Sequence, residues 1–348
     1  MHFLITGHTG FKGAWLSLLL ATRGHTVSGI ALDPLPSGIF EQARVSEIMR
    51  DDVRLDIREA KQLADSVQEI DPEVVIHLAA QPLVRESYRH PRQTFETNVM
   101  GTYNLLEAMA SAPTTKAALI ITTDKVYRNV GKLSGYDETD ALGGDDPYSS
   151  SKAMADILTQ SWVKSFPSFP TAIARAGNVI GGGDVSPDRL LVDLVNGFAN
   201  NDPVHIRMPG AVRPWQHVLD CLSGYLSICA ALLSESKGGE WNVGPDPGHA
   251  QTVRELSDTA AAFWGGKATW VDESQGDHPH EAAYLTLNPS KVQATLGWRN
   301  VVPFPDSVQW TIEWEQAVRS GANARAVSLK QIDDFLSLEP NAPWTRVF

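Results

Sequence analysis

Short apolar runs, each followed by an amphipathic stretch, alternate over residues 1 to about 177. A strand buried on both faces reads as a continuous apolar run, whereas a helix packed on one face repeats with a period of about 3.6. On this basis strands are expected near 2–6, 26–32, 52–55, 74–78, 117–122 and 171–176, with Val74-Val75-Ile76 and Ala118-Leu119-Ile120-Ile121 the clearest. Helices are expected at about 12–23, 59–69, 91–111 and 147–165. Strand–helix alternation of this kind predicts an α/β protein with a Rossmann-type doubly wound parallel sheet over residues 1–178.

Beyond Asn178 the texture changes: Gly181-Gly182-Gly183 opens a region of turn residues and short helices. Segments 179–212 and 246–320 are expected to form a smaller C-terminal substrate-binding lobe, with 213–245 returning to the main sheet. The glycine run suits either a second phosphate cradle or a hinge. Residues 321–348 lack strong periodicity and read as an appendage packed on the surface. The helices 91–111 and 147–165 carry apolar residues on more than one face (Val99, Leu105, Leu106 and Met109; Met154, Ile157, Leu158 and Trp162), which predicts a homodimer built on them.

The formal net charge of −12 argues against a non-specific nucleic-acid surface. Cys221 and Cys229 have no CxxC or Cys/His partner, so they read as free thiols of a reducing compartment. A first strand at residue 2 leaves no room for a signal peptide, and no apolar run suggests a membrane span. The expected location is cytoplasmic. His278, His280 and Glu281 lie in a turn-like Asp-His-Pro-His setting without further ligands, so no metal site is expected.

The chemistry begins at Gly7-His8-Thr9-Gly10-Phe11-Lys12-Gly13, between the first strand and the first helix. Glycines there allow backbone to approach a pyrophosphate at a helix N-terminus. Asp33 ends the second strand, where a carboxylate accepts ribose hydroxyls and disfavours a 2′-phosphate; Lys12, inside the loop, points the other way. Thr123-Asp124-Lys125 follows the fifth strand and offers an acid/base couple. Tyr148 and Lys152 share a helical face, so the ammonium can favour a phenolate that takes a hydroxyl proton. One such system serves a dehydrogenase; two imply a further step. Lys125 acts as a base only when neutral, and its alternative is an ion pair with Asp124 or Glu138.

These residues resemble the extended short-chain dehydrogenase/reductase superfamily, specifically its sugar-nucleotide dehydratases of the CDP-glucose 4,6-dehydratase family. The resemblance spans roughly residues 1–320 and rests on the glycine loop, His77-Leu78-Ala79-Ala80-Gln81-Pro82-Leu83, Thr122-Thr123-Asp124-Lys125, Asp146-Pro147-Tyr148-Ser149-Ser150-Ser151-Lys152 and Arg175 to Asp184. Val126, Arg128 and Val185 stand where that family would carry Cys, Glu and Trp. The resemblance implies NAD as cofactor and CDP-glucose as substrate, oxidised at C4, dehydrated across C5 and C6, and reduced at C6. It assigns catalysis to Thr123, Asp124, Lys125, Tyr148 and Lys152. It places Gly7, Thr9, Gly10, Phe11, Lys12, Gly13, Asp33, Asp56, Ile57, Leu78, Ala79, Ala80, Thr122, Tyr148, Lys152 and Ala176 near the cofactor. Gln81, Ser87, Asn178, Arg189, Arg213, His217 and Tyr284 fall to the substrate. Asp56 has a second reading as a helix cap near Arg58, and His77 reads as a satisfied buried histidine. A 4-epimerase needs no Asp–Lys couple, and a non-catalytic dinucleotide-binding regulator needs no Tyr–Lys pair.

Overall fold

The computed structural model describes residues 1–235, 237–275 and 283–348. Its centre is a 7-stranded sheet. β1 (His2–Thr6), β2 (Thr26–Ala31), β3 (Asp51–Arg54), β4 (Val74–His77), β5 (Ala117–Ile121) and β6 (Thr171–Ala176) are joined by Gly239–Val243. The order is β3-β2-β1-β4-β5-β6 followed by Gly239–Val243, and every pairing is parallel. The strands therefore wind outward in opposite directions from β1 and β4, where Thr6 pairs with both Ile30 and His77.

Both faces of the sheet are covered. On one, Phe3 and Ile5 pack with the helices Phe11–Thr22, Val218–Glu235 and Ala324–Leu338. On the other, Leu4 and Ile30 meet Leu63 and Val67 of Ala60–Ile70 and Leu105, Leu106 and Met109 of Gly101–Ala110. This two-sided burial is why the strand sequences are apolar runs and not alternations. The expected Rossmann-type sheet is thus present, with its six strands near their anticipated positions.

Three expectations need correction. Only Gly239–Val243 of the segment 213–245 joins the sheet; Val218–Glu235 is a core helix packed beneath it. That helix is long and apolar enough to cross a membrane by length and composition, contrary to the sequence expectation, yet 83% of it is buried inside the fold. Residues 321–348 are not a surface appendage: Ile332, Phe335 and Trp344 are fully buried in the main core. Asn323 caps the helix Ala324–Leu338 by accepting from Ala326 N (3.0 Å), and the Trp344 indole donates to Ser223 Oγ (3.0 Å). Three fully buried anchors within a mostly polar stretch are too few for periodicity to reveal.

The stretch expected as one helix over 91–111 is broken by a π-helical turn, Glu96–Met100, between Pro91–Phe95 and Gly101–Ala110. A second apolar cluster joins Leu191, Leu194, Phe198, Trp215, Leu256 and Ile312 outside the sheet. The Gly181–Gly183 run is set by close packing. A side chain at Gly182 would collide with the Trp314 ring, and one at Gly183 with Ile39, so these glycines serve close packing. Trp344→Ala is expected to lower stability by about 3–5 kcal/mol, the usual range for deleting a buried indole. Denaturant unfolding measures this; a loss below 1 kcal/mol, as for an exposed appendage, contradicts the core assignment.

Candidate active site

The crevice at the carboxyl ends of β1 and β4 receives the glycine turn. Gly7 has φ +76°, and a Cβ on Gly13 would lie 2.3 Å from the Gly7 carbonyl oxygen, so the turn closes only with glycine at both positions. Gly10 caps the helix Phe11–Thr22 with no side-chain hydrogen bond and no acidic residue in its first turn. Its free N–H groups and dipole suit a diphosphate. Thr9 Oγ1 donates to Leu32 O (3.0 Å), and Asp33 is 89% exposed beside Arg54 (3.6 Å), open to a ribose. Leu78 and Ala79 donate from their N–H groups to Thr6, Ala80 is half-buried just after β4, and Ala176 is buried at the end of β6.

Lys12 does not face the Asp33 end of the groove. Its ammonium donates to the Tyr225 hydroxyl (3.2 Å) under the opposite end, which removes it as a partner for a 2′-phosphate. Arg58 holds Asp56, its Nε and Nη2 donating to Oδ2 (3.0 and 2.6 Å) and its backbone N–H to Oδ1 (2.9 Å); Asp56 is not the helix cap, because Glu59 occupies that position before Ala60–Ile70. Ile57 is a core residue against Gly101. Thr122 turns its hydroxyl to Asp156 (3.1 Å).

The helix Pro147–Ser165, which carries Tyr148 and Lys152, starts where its sequence directs: Asp146 Oδ1 accepts from Ser149 N (2.9 Å), and Pro147 occupies the first turn. Ser87 Oγ accepts from Tyr148 N (3.1 Å) and donates to Val84 O, so Ser87 fixes the helix start and is not free for substrate. Asn98, in the π-helical turn, reaches both Ser151 (2.8 Å) and the Gln81 backbone. The Gln81 side chain is spent on Leu83 and Thr94 and braces its own loop, which removes it from the substrate set. His217 is also removed. It is fully buried, edge-on to Trp15 and Trp310, and desolvation lowers its pKa to about 3. His77 is satisfied by Thr6 (2.6 Å) and Thr102 (3.0 Å), as expected.

Thr123, Asp124, Lys125, Tyr148 and Lys152 converge. The Thr123 hydroxyl donates to Asp124 Oδ1 (2.9 Å), while Asp124 Oδ2 is buried without a partner. Burial raises the Asp124 pKa against the pull of Lys125, Thr123 and Arg213. Burial also holds the Tyr148 phenol above its ordinary value, offset by the Arg189 guanidinium and a hydrogen bond with Thr123. Lys152 donates to Ile121 O (2.8 Å), and its pKa falls to about 7 through burial and then the Lys12 ammonium. Lys125 is half-buried and makes no ion pair among the described residues, so the structural pairing with Asp124 or Glu138 is not seen. Glu138 instead accepts from Asn242 N (2.7 Å).

A cleft open to solvent adjoins this cluster and is lined by Asn178, Asp184, Arg189, Arg213 and Trp215. Arg189 acts on Tyr148 and Arg213 on Asp124, so the cleft and this cluster share one electrostatic field. Tyr284 bridges to Val212 next to Arg213, with its hydroxyl on Leu133 O (3.0 Å). The sequence missed the Lys12–Tyr225 contact, because it joins elements far apart in the chain. His278, His280 and Glu281 lie outside the described residues, and no cluster able to hold a metal occurs among the described ones.

Sheet, glycine turn and Tyr–Lys helix together define an enzyme of the short-chain dehydrogenase/reductase type. Residues 4–311 match the GDP-mannose 4,6 dehydratase family. A CDP-glucose 4,6-dehydratase of Salmonella typhimurium is 42% identical over 96% of this chain and 95% of its own length. A dTDP-glucose 4,6-dehydratase of the same organism is 27% identical over 92% and 96%. Among solved structures, a UDP-glucose 4-epimerase of Thermus thermophilus in complex with NAD superposes with a TM-score of 0.76 at 25% identity, covering 91% of this chain and 99% of that one. The chain belongs to the family of nucleotide-sugar 4,6-dehydratases.

The burial of Lys152 has a measurable linkage. Its folded pKa of about 7 lies below the ordinary lysine value of 10.5, so between these limits the unfolded chain binds more protons and folding gains stability as pH rises. Below about 7 the burial cost is felt in full. Wild type is therefore expected to gain stability relative to Lys152→Met from pH 7 to 9 in paired urea titrations; a constant difference contradicts the shifted pKa.

Proposed function

We propose that this protein converts CDP-D-glucose to CDP-4-keto-6-deoxy-D-glucose, with NAD regenerated in each turnover. The observation that carries this reading is Asp124, a carboxyl buried beside the Tyr–Lys helix and shifted toward its protonated form. An elimination needs such an acid; oxidation or epimerisation at C4 does not. The relative that supports the substrate is named a CDP-glucose 4,6-dehydratase and matches along nearly the whole chain.

The residues that would hold NAD are Gly7, Thr9, Gly10, Phe11 and Gly13 at the diphosphate and Asp33 at the ribose, with Lys152 at the nicotinamide end. When bound, NAD supplies the hydride acceptor at sugar C4 and the donor at C6. Tyr148 takes the C4 hydroxyl proton, with Thr123 hydrogen-bonded to the same oxygen. The C4 ketone acidifies the C5 proton, which Lys125 removes. Asp124 gives its proton to the departing C6 hydroxyl, and burial shifts it toward the protonated form that this step uses. Arg189, Arg213 and Asn178 line the cleft for the substrate diphosphate, where guanidinium forks match phosphate oxygens.

Purified protein assayed against a panel of nucleotide-diphosphate glucoses tests this. CDP-glucose is expected to lead by at least about tenfold in kcat/KM, roughly 1.4 kcal/mol of transition-state discrimination. In the same assay Lys125→Ala should still reduce bound NAD, seen by near-ultraviolet absorbance, yet form product about 10²–10⁴-fold more slowly. Tyr148→Phe should do neither. Full dehydration by Lys125→Ala removes this lysine from the mechanism, and equal turnover of every sugar nucleotide removes the cytidine preference.

The dimer reading needs a revised surface. Leu105, Leu106 and Met109 belong to the core, so they cannot form an interface. Met100, Met154 and Ile157 remain, about half-exposed on adjoining helices beside Trp162 and Phe166. A second copy packed on this face would bury them. Light scattering should give twice the chain mass, and Ile157→Lys should give a monomer. A wild-type monomer at micromolar concentration rejects the dimer.

A further inference from the structure

Beneath the catalytic side chains lies an ion pair that the chemistry above does not use. Arg175 in β6 and Asp156 in the helix Pro147–Ser165 are 1% and 0% exposed. Arg175 donates to both oxygens of Asp156, from Nε to Oδ2 (2.8 Å) and from Nη2 to Oδ1 (2.7 Å). Each oxygen takes a second donor: Thr122 Oγ1 on Oδ2 (3.1 Å) and Gln160 Nε2 on Oδ1 (2.8 Å). Arg175 Nη1 donates to the Tyr127 hydroxyl (2.9 Å), which in turn donates to Asn242 Oδ1 (2.7 Å).

The partners of this pair are not scattered. Asp156 stands one helical turn beyond Lys152, on the helix that carries Tyr148. Thr122 and Tyr127 flank Thr123-Asp124-Lys125 on either side. A buried ion pair adds little net stability compared with apolar residues of similar volume, so stability alone does not explain it. Full hydrogen bonding of both partners instead fixes orientation.

We propose that Asp156 and Arg175 are positioning residues that lock the helix of Tyr148 and Lys152 to the segment of Asp124 and Lys125. The inference rests on the reading in which these two segments perform successive steps on one sugar. Oxidation at C4 and elimination at C5 and C6 act on adjacent carbons in a single pose. The two sets of groups must therefore hold their separation closely, since a misplacement of about 1 Å costs on the order of 100-fold in rate.

Asp156→Asn would leave a buried guanidinium short of its counter-charge and risks unfolding, so single tethers are the better probes. Thr122→Val deletes the bond to Asp156, and Tyr127→Phe deletes the bond from Arg175 together with the one to Asn242; both leave the ion pair intact. Both are expected to melt cooperatively and to lose about 10–100-fold in kcat on CDP-glucose. KM should change little, because Asn178, Arg189 and Arg213 lie on other segments. Amide hydrogen exchange should quicken over 122–128 and 147–165, a readout that needs no substrate. Folded variants with wild-type kcat and wild-type exchange overturn the proposal. A wild-type protein inactive on CDP-glucose rejects the substrate reading instead, and the exchange rates still decide whether the two segments are locked.

Discussion

The reversal of strand order between β1 and β4 is the constraint on which the rest depends. Connections from these two strands leave the sheet in opposite directions, so a crevice opens above their carboxyl ends without any side chain having to make it. Everything chemical is hung on that edge. The glycine turn leaves β1, Asp33 follows β2, Ala79 and Ala80 follow β4, and Thr123-Asp124-Lys125 follows β5. β6 leads into Asn178 and, through Gly181–Gly183, to the cleft with its two arginines.

Burial then decides what the ionisable groups at that edge can do. Desolvation penalises charge, which moves acids up and bases down. The same effect gives different outcomes according to partners. Asp124 keeps one oxygen without a donor and shifts toward the neutral acid. Asp156, equally buried, has donors on both oxygens, one set from a guanidinium, and its neighbour Arg175 is held firmly charged. Lys152 has a single carbonyl acceptor and a second ammonium nearby, and it comes down to about 7. The site thus places a proton-holding carboxyl and a readily deprotonated lysine within one fold region, each set by its count of partners.

What the sequence revealed followed physical rules that act locally. Apolar runs marked β1 to β6 because both sheet faces are covered, and Tyr148, Lys152, Asp124 and Lys125 were legible because helix period and strand ends place them. Where long-range packing decides a residue's place, the chain carries no local signal of it. Gln81 and Ser87 carry polar groups in the right stretch of chain, but those groups bond inward, and His217 is buried among aromatic rings. Gly181–Gly183 carries a loop composition, yet its cause is the Trp314 ring, contributed from more than a hundred residues away. The π-helical turn that aims Asn98 has no signature in hydrophobic period, since it inserts only a local change of winding.

The helix Val218–Glu235 shows why such long-range terms gather in one place. It lies against the sheet and meets three separate parts of the chain with polar groups that an apolar helix of its length would otherwise exclude. Tyr225 receives the Lys12 ammonium from the glycine turn (3.2 Å). Asp220 accepts from Val301 and Val302 N (2.7 and 3.1 Å), satisfying backbone that no ladder reaches. Ser223 is shared by the Glu339 carboxylate (2.6 Å) and the Trp344 indole (3.0 Å). Burial raises the Asp220 pKa to about 8 and that of Glu339 to about 7, so both are comfortable as neutral partners in the interior. Its hydropathy resembles a membrane span because it is surrounded by protein on nearly every side, and its few polar residues are the joints by which the C-terminal segment and the glycine turn share one core.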